Sequence, residues 1–338
     1  MTGRDRVKAC LTFSSPDRAP RDLWTLPYVT LFQKEELNSL LEKYPMDIEF
    51  ASLNDSWRAE LDKYSAKVGY YKDEWGSIWY VAEPGVSGEV KKPVLNDWAA
   101  LNKLKPPLEL IRNRDWSYVN KYCEQSDKFI ISDNAARPFE RMQFLRGTEN
   151  LFIDIASADK RFYNLLQIVH EYNLEDIKSW CKTNVDAVDL MDDWGSNRSL
   201  LINPIIWRDI FKPIYKEYCN IIHNAGKFVF FHSDGNIEGI FGDLIEVGID
   251  AINSQLFTMN IEELGRKYKG KITFWGEIDR QYVLSFGTSE IVSEAVIRVR
   301  RALDNGIGGV IAQCEWGKNN PINNIKAVFR TWNEPFLQ

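Results

Sequence analysis

The chain lacks the features that would place it in a membrane or outside the cell. Its 338 residues contain no run of about 18 apolar residues, so no membrane-spanning helix is expected. The first residues, MTGRDRVKACLTF, lack the long apolar core of a secretory signal. The five cysteines are scattered, odd in number and without a CxxC pair, which favours reduced thiols over a disulfide framework. These absences together predict a cytoplasmic protein.

Two further absences narrow the class of partner. No block of basic residues is interleaved with aromatic ones, and the net charge is −6, so nucleic acid is not an expected partner. No G-x-G-x-x-G sequence follows a predicted strand, which counts against a dinucleotide-binding open sheet. An acidic balance suits a protein that handles small molecules in solution.

The sequence does contain a regular alternation of strand and helix patterns. From about residue 185 onward, five short apolar, β-prone runs are each followed by a helical pattern. These runs span 185–190, 228–231, 250–253, 272–275 and 308–312, and earlier candidates span 22–26 and 129–132. Strands that alternate with helices indicate a parallel sheet. The predicted fold class is therefore α/β, a (β/α)8 TIM barrel with an N-terminal extension.

One segment interrupts this alternation. Residues 68–95, VGYYKDEWGSIWYVAEPGVSGEVKKPVL, combine aromatic and β-branched residues with glycines at 76, 85 and 88. That composition predicts an antiparallel hairpin. We interpret the segment as an insertion that covers one end of the barrel, within a single domain that spans residues 1–338.

Polar side chains follow each of the late strands. In a (β/α)8 barrel the C-terminal ends of the strands meet at one mouth, where the chemistry takes place. The residues at these ends are Asp192, Asp193, His232, Asp234, Asn253, Gln255, Glu277, Asp279, Cys314 and Glu315. Each has an ordinary structural explanation, because a lone cysteine is commonly buried and paired aspartates commonly begin a turn. Their convergence predicts a site that binds a metal ion or moves a proton.

Six segments also carry a resemblance to a known family. They are DEWGSIW (73–79), FLRGTEN (144–150), DDWGSNRSLLINPIIWRDIFKP (192–213), FFHSDGNIEGIFGDLIEVGIDAINSQ (230–255), ITFWGEID (272–279) and CEWGKNNPINNIKAV (314–328). They resemble the uroporphyrinogen decarboxylase superfamily, which also contains zinc-dependent methyltransferases that exchange methyl groups with corrinoid proteins. The resemblance implies a (β/α)8 barrel, in agreement with the alternation of strands and helices.

The segment that binds substrate in the true decarboxylases is altered here. Those enzymes carry a segment like R-x-P-V-W-x-M-R-Q-A-G-R, whose arginines bind substrate carboxylates. Arg18 and Pro20 match its start, but LPYVT (26–30) stands where R-Q-A-G-R would lie. Cys314, seven residues before Pro321, stands where the decarboxylases carry a histidine. A porphyrinogen rich in carboxylates needs cationic partners, so its decarboxylation is not expected.

The methyltransferase branch implies a metal site instead. Its members hold zinc with a His-x-Cys pair, a late Cys and sometimes an acidic residue. His232 falls on the histidine of the pair, Asp234 replaces its cysteine, and Cys314 falls on the late cysteine. Zinc accepts all three ligand types, so the predicted ligands are His232, Asp234 and Cys314. Gln255 occupies the acidic position and is expected to support the site without binding the metal.

The resulting hypothesis is methyl transfer at zinc, between a corrinoid-binding protein docked over the mouth and a small-molecule donor or acceptor. The predicted acid–base residues are Asp192, Asp193 and Glu277. The predicted substrate-binding residues are Trp194, Asn253, Gln255, Trp275 and Trp316. The tryptophans would either pack the loops or hold a cationic methylated amine by cation–π contacts. The chain is expected to be a monomer or a homodimer.

Two alternatives stay open at this point. The first is a metal-independent, decarboxylase-like enzyme that acts on a smaller carboxylated substrate with acid–base groups from Asp193, His232 and Glu277. The second is a non-catalytic barrel that binds a corrinoid or another metabolite, because the changes at positions 234 and 255 alter the metal ligands.

Overall fold

The computed structural model describes residues 1–53, 66–133 and 136–335. In these residues the strands are β1 (Arg21–Thr25), β2 (Ile48–Phe50), β3 (Gly69–Lys72), β4 (Ile78–Val81), β5 (Glu89–Lys92), β6 (Phe129–Ile131), β7 (Ala187–Met191), β8 (Phe228–Ser233), β9 (Ala251–Ser254), β10 (Thr273–Trp275) and β11 (Val310–Trp316). Eight of them form one sheet in the order β1-β11-β10-β9-β8-β7-β6-β2, in which every hydrogen-bonded pair is parallel.

The two ends of this sheet meet, which makes it a barrel. The backbone N–H of Asp47, just before β2, donates to the carbonyl of Arg21 in β1 at 2.9 Å. The side chain of Asp47 accepts the backbone N–H of Arg21 at 2.7 Å. The predicted (β/α)8 barrel is therefore confirmed. The strand β2 is the barrel strand that the sequence did not reveal, because its three residues include the charged Glu49, whereas the equally short β6 is wholly apolar.

Helices surround the barrel. In the described residues they are α1 (Gly3–Leu11), α2 (Pro27–Phe32), α3 (Lys34–Lys43), α4 (Glu109–Arg112), α5 (Trp116–Gln125), α6 (Pro138–Arg146), α7 (Thr148–Ala156), α8 (Lys160–Trp180), α9 (Pro204–Ile210), α10 (Lys212–Asn224), α11 (Glu238–Val247), α12 (Ile261–Tyr268), α13 (Val283–Phe286), α14 (Ser289–Leu303) and α15 (Ile322–Trp332). The helical pattern that follows the run at 185–190 forms two helices, α9 and α10, divided at Phe211, since Pro213 has no N–H to continue the hydrogen-bond ladder. No helix of the described part of the chain is long and apolar enough to cross a membrane.

The segment at 68–95 forms a separate antiparallel sheet of three strands, β3-β4-β5, where the sequence predicted a hairpin. This sheet packs on α6 through Trp79, whose ring lies 4.7 Å from that of Phe144. The hydroxyl of Ser77 donates to the Phe144 carbonyl at 2.9 Å. Aromatic burial and these backbone contacts hold the insertion against a helix that begins at the barrel mouth.

The opposite end of the barrel is closed by α1, whose Val7, Cys10 and Leu11 pack against the lowest lumen side chains. One buried carboxylate connects this helix to the sheet. Asp47 accepts hydrogen bonds from the guanidinium groups of Arg6 and Arg18, the latter at 2.6 Å, and from the backbone of Arg21. Because two cations depend on it, this acid connects α1, β1 and β2.

We expect Asp47→Ala to lower the free energy of unfolding by about 3–5 kcal/mol, because it removes the buried carboxylate that pairs with the partly buried guanidinium groups of Arg6 and Arg18. Urea unfolding followed by far-UV circular dichroism measures the change. Asp17→Ala is the matched control, since Asp17 pairs with the same Arg6 but is half exposed. That variant should lose less than about 1 kcal/mol. Equal losses in the two variants would contradict a connecting role for Asp47.

Candidate metal site at the barrel mouth

The lumen of the barrel is filled by layers of side chains taken from alternate strands. The registers between neighbouring strands bring Phe50, Asp189, Asn253 and Gln313 to one level, called here the central layer. The layer above it, toward the mouth, includes Trp24 and His232, whose rings lie 4.9 Å apart. The layer below includes Asp22, Phe230 and Trp275, and the indole of Trp275 donates to Asp22 at 2.7 Å.

His232 ends β8 with its ring fixed in one orientation. Its Nδ1 lies 2.6 Å from Oδ1 of Asn253. The amide nitrogen of Asn253 donates to the Trp275 carbonyl, so Oδ1 is the acceptor and Nδ1 of His232 is assigned the proton. In the neutral ring, Nε2 then carries a lone pair. This is the arrangement found in metal-binding histidines, in which a neighbouring acceptor selects the tautomer.

The Nε2 atom of His232 faces two carboxylates. It lies 3.7 Å from Oδ1 of Asp193 and 3.6 Å from Oδ1 of Asp234. One ligand atom of each of these residues lies within 4.8 Å of the other two. The Oδ1 of Asp234 is buried and has no hydrogen-bond partner among the described residues. Three groups of acceptor character this close together form a set that could hold a metal ion.

Close contact between two loops places the carboxylates. The backbone N–H of Asp234 donates to Asp193 at 2.8 Å, and that of Gly195 donates to the Asp234 carbonyl at 3.1 Å. A Cβ atom on Gly235 would lie 2.2 Å from the Gly195 carbonyl, so only glycine fits there. The loop after β8 is completed by Gln255, whose side-chain oxygen accepts the N–H of Gly235 at 2.9 Å. This close contact explains why glycine follows Trp194 and Asp234 in the sequence.

Further carboxylates surround the cluster, with Arg280 among them. The Arg280 guanidinium binds Asp234 Oδ2, contacts Glu315 at 2.9 Å and lies 3.7 Å from Glu277. Burial raises the pKa of Glu277 well above its usual range, and it also raises the pKa of Glu315, although Arg280 opposes both changes. Burial raises the pKa of Glu140, at the start of α6, to about 7. The mouth therefore holds a group, Glu140, that can exchange a proton near neutral pH.

Comparison with known proteins identifies the family of the chain. The family described as Uroporphyrinogen decarboxylase (URO-D) matches residues 78–335. The chain belongs to the uroporphyrinogen decarboxylase family. The solved structure of a methyltransferase from Methanosarcina mazei has a TM-score of 0.71 and 12% identity, with 98% of each chain covered. The family resemblance inferred from the sequence is thus confirmed, and the likeness to the methyltransferase concerns the fold.

A weaker likeness connects this uroporphyrinogen decarboxylase family member with a glycosylated endo-beta-1,4-xylanase of glycoside hydrolase family 10 from Gloeophyllum trabeum. Its TM-score is 0.46 at 10% identity, over 96% of this chain and 99% of the other. No curated protein matches the chain.

The structure does not bring Cys314, one of the three predicted ligands, to His232. Side chains alternate along β11, so that Ile311 faces the lumen while Ala312 and Cys314 pack in the core between strands and helices. Burial raises the pKa of the Cys314 thiol well above its ordinary value. The next residue, Glu315, is the one that reaches Arg280. The third potential ligand in this family member is instead Asp193, which the sequence suggested as an acid–base residue.

Two of the predicted substrate-binding tryptophans also lie on the helix-facing side. Trp194 stacks on Phe139 at 4.1 Å and donates to the hydroxyl of Tyr215 at 3.0 Å. Trp316 is buried and donates to the carbonyl of Asn320. Of the three tryptophans, Trp275 is the one in the lumen. These contacts agree with the packing role that the sequence left open for Trp194 and Trp316.

Asp192, predicted as an acid–base residue, is occupied by structural hydrogen bonds. Its two oxygens accept the backbone N–H groups of Phe139 and Glu140 at 2.9 and 2.7 Å, and the hydroxyl of Tyr215. It therefore caps the N-terminus of α6 and fixes that helix at the mouth. Asn253, Gln255 and Glu277 do lie around the cluster, as described above.

Several residues of the site were missed in the sequence. Trp24 and Asp189 could have been found, because both occupy lumen positions in the period-two pattern of an apolar strand. Arg280 had a weaker signal as a cation in the loop that follows Glu277. Glu140 had none, because its place at the mouth depends on the capping of α6 by a distant aspartate.

Asp22, in the layer beneath the central layer, should make stability depend on pH. Burial raises its pKa to about 6, so the fold favours the protonated acid. The contribution of Asp22 to the free energy of unfolding of the wild type is fully present below about pH 4, and it is lost as the pH rises through about 6. We expect Asp22→Asn to gain about 2–3 kcal/mol over the wild type between pH 4 and pH 7. Urea unfolding at both pH values measures this, with the exposed Asp127→Asn as control; a pH-independent difference would contradict it.

Proposed function

We propose that the protein transfers a methyl group between a corrinoid protein and a small molecule, at a zinc ion held by Asp193, His232 and Asp234. The observation that carries the proposal is the lone pair of His232 Nε2, which faces two carboxylate oxygens, one of them without a partner among the described residues. Membership of the uroporphyrinogen decarboxylase family supports it. The likeness in fold to a methyltransferase is consistent with it.

The chemistry of the three side chains fits zinc. Catalytic zinc sites use three protein ligands drawn from His, Cys and carboxylates, and leave one position open. Two carboxylates also neutralise a divalent cation. Asn253 holds the far nitrogen of His232, while Arg280 engages Oδ2 of Asp234 and leaves Oδ1 for the ion. Bound zinc would act there as a Lewis acid toward the atom that carries the methyl group.

The chain's own residues would hold and move the proton that accompanies methyl transfer. Burial raises the pKa of Glu277 well above its usual range and brings the pKa of Glu140 to about 7, so each would donate a proton to a substrate atom at the mouth or accept one from it. Arg280 positions Asp234 and Glu315. The roles proposed for Glu277, Glu140 and Arg280 depend only on their burial and on the charges around them at the mouth.

The rim of the mouth supports a protein partner. Leu31 and Phe32, on the helix that follows β1, are exposed, and so are Tyr282 and Phe286, on the segment that follows β10. Large apolar side chains exposed around one opening are typical of a docking surface. A corrinoid protein seated there would bring its cofactor over the cluster of Asp193, His232 and Asp234.

The balance of charge disfavours the decarboxylase alternative. Four acids, Asp22 and Asp189 in the lumen and Glu277 and Glu315 at the mouth, outnumber the two guanidinium groups, of Arg137 and Arg280, whose charges reach them. A carboxylated substrate would enter an acidic, poorly solvated lumen without enough cations to bind it.

The metal assignment is tested by zinc analysis of protein purified without chelator or nickel affinity. We expect about one zinc per chain, lost in Asp193→Asn and His232→Ala and kept in Cys314→Ser. Cys314→Ser is the discriminating control, because serine keeps the size of the buried side chain and replaces the thiol. Zinc lost in Cys314→Ser but kept in Asp193→Asn would restore the ligand set predicted from the sequence. No zinc after reconstitution would refute the site.

The activity is tested with the zinc-loaded protein and methylcobalamin, whose visible spectrum reports demethylation. Thiols and methylated amines are offered as acceptors, and Asp193→Asn is the variant expected to be inactive. Zinc bound without any demethylation, either of methylcobalamin or of a methylated corrinoid protein, would favour the non-catalytic binding barrel instead.

Asn253 should affect zinc affinity without touching the ion. Asn253→Ala removes the acceptor that holds Nδ1 of His232, so we expect zinc affinity to fall about 10–100-fold. Competition against a chromogenic chelator measures it. Asn260→Ala is the matched control, because Asn260 is an exposed helix cap whose loss should leave zinc affinity unchanged. Unchanged affinity in Asn253→Ala would show that His232 is oriented by something else.

A further inference from the structure

Asp189 is a buried acid that the proposed function does not use. It lies on β7 between Val188 and Leu190, which face the helices, so its own side chain faces the lumen. It is 0% exposed, and neither of its carboxylate oxygens has a hydrogen-bond partner among the described residues. A buried acid without a hydrogen-bond partner lowers the stability of the fold, so the position of Asp189 calls for an explanation.

A second unpartnered side chain belongs to the same central layer. Gln313, on β11, is 1% exposed, and in the described part of the chain neither its amide oxygen nor its amide nitrogen has a partner. Asn253 and Phe50 complete this layer. Because Asn253 holds His232 from below, Asp189 and Gln313 face the barrel axis one layer beneath the candidate metal ligand.

The surroundings of this position favour a cation. Trp24 lies above the central layer, Phe50 lies in it, and Trp275 lies below it, in a chain of ring contacts of 6.2 Å and less between Phe50, Trp24 and Trp275. Aromatic faces and a carboxylate together attract cations with attached methyl groups. A second acid, Asp22, lies near enough to raise the pKa of Asp189, whereas burial is the main cause of that rise.

Arg137 is a cation whose charge acts on this position. Its charge reaches Asp189 and opposes the rise in the pKa of that acid. The ion pair that it forms is with Glu140, at 3.9 Å, at the start of α6. Neither oxygen of Asp189 accepts a hydrogen bond from a described residue, Arg137 included, so both acceptor sites remain unused.

We infer that the central layer is a subsite for a methylated ammonium group that carries at least one N–H. The N–H would donate to Asp189, the amide of Gln313 would complete the polar contacts, and the methyl groups would lie against Trp24 and Phe50. A neutral alcohol lacks the charge, and a quaternary ammonium lacks the N–H that pairs a carboxylate oxygen. The inference rests on the proposed function, because it names the chemical class of the small-molecule methyl donor or acceptor.

The test is calorimetric titration of the wild-type protein with trimethylammonium chloride, with and without zinc. tert-Butanol serves as an uncharged ligand of similar size, tetramethylammonium as the cation without N–H, and acetate as the anion. We expect saturable binding of trimethylammonium, about tenfold or more tighter than that of tert-butanol, with tetramethylammonium weaker. Equal binding of tert-butanol, preferred binding of acetate, or no saturable heat with trimethylammonium would overturn the subsite.

Asp189→Asn supplies the matched variant, because asparagine keeps the shape and removes the charge. We expect trimethylammonium to bind about tenfold or more weakly, with zinc content unchanged and the midpoint of thermal unfolding equal or higher. Asp209→Asn, at an exposed position on α9, should change none of these. Unchanged affinity in Asp189→Asn would overturn the inference.

The two proposals fail in different ways. Ammonium binding in protein that takes up no zinc would refute the metal site and keep the subsite. Zinc binding without ammonium binding would keep the metal site and refute the subsite.

Discussion

The alternation of side chains along eight parallel strands determines which residues of this protein can meet. Each strand presents every second residue to the lumen, and the staggered registers stack those residues into layers. His232, Asn253 and Trp275 meet because they occupy lumen positions on three neighbouring strands. Cys314 is separated from them by the same rule, since it lies one residue out of phase.

The second constraint is the concentration of carboxylates in and above the lumen. Burial raises the pKa values of Asp22, Asp189 and Glu277, and Arg280 balances only part of the charge at the mouth. Such an arrangement is costly without a cation, because buried acids are stable only when protonated or paired. A metal ion at the cluster of Asp193, His232 and Asp234 and an ammonium group in the central layer would each offset part of that cost. Both proposals follow from one excess of negative charge, at two levels of the same barrel.

Much of the fold could be predicted because its pattern is local. The apolar runs that become β7 to β11 and the helical spacing between them are readable within about a dozen residues. The glycines and aromatic residues of 68–95 predicted an antiparallel hairpin, although not the third strand of the sheet. The short β2 carries the charged Glu49 between Ile48 and Phe50, so it lacks the apolar run that revealed β6. The division of a helix at Phe211 depends on a single proline.

The sequence by itself determined that the chain is a (β/α)8 barrel of the uroporphyrinogen decarboxylase family and that polar residues gather at its mouth. It also singled out His232, Asp234, Asn253, Gln255 and Glu277, each of which lies at or around the metal-ligand cluster. Tertiary structure decided that Asp193 and not Cys314 joins His232, that Asp192 caps α6, and that Asp189 faces the axis below. Spacing along a strand shows that two residues lie near its end, but only the register and tilt of the closed barrel decide which of them points inward.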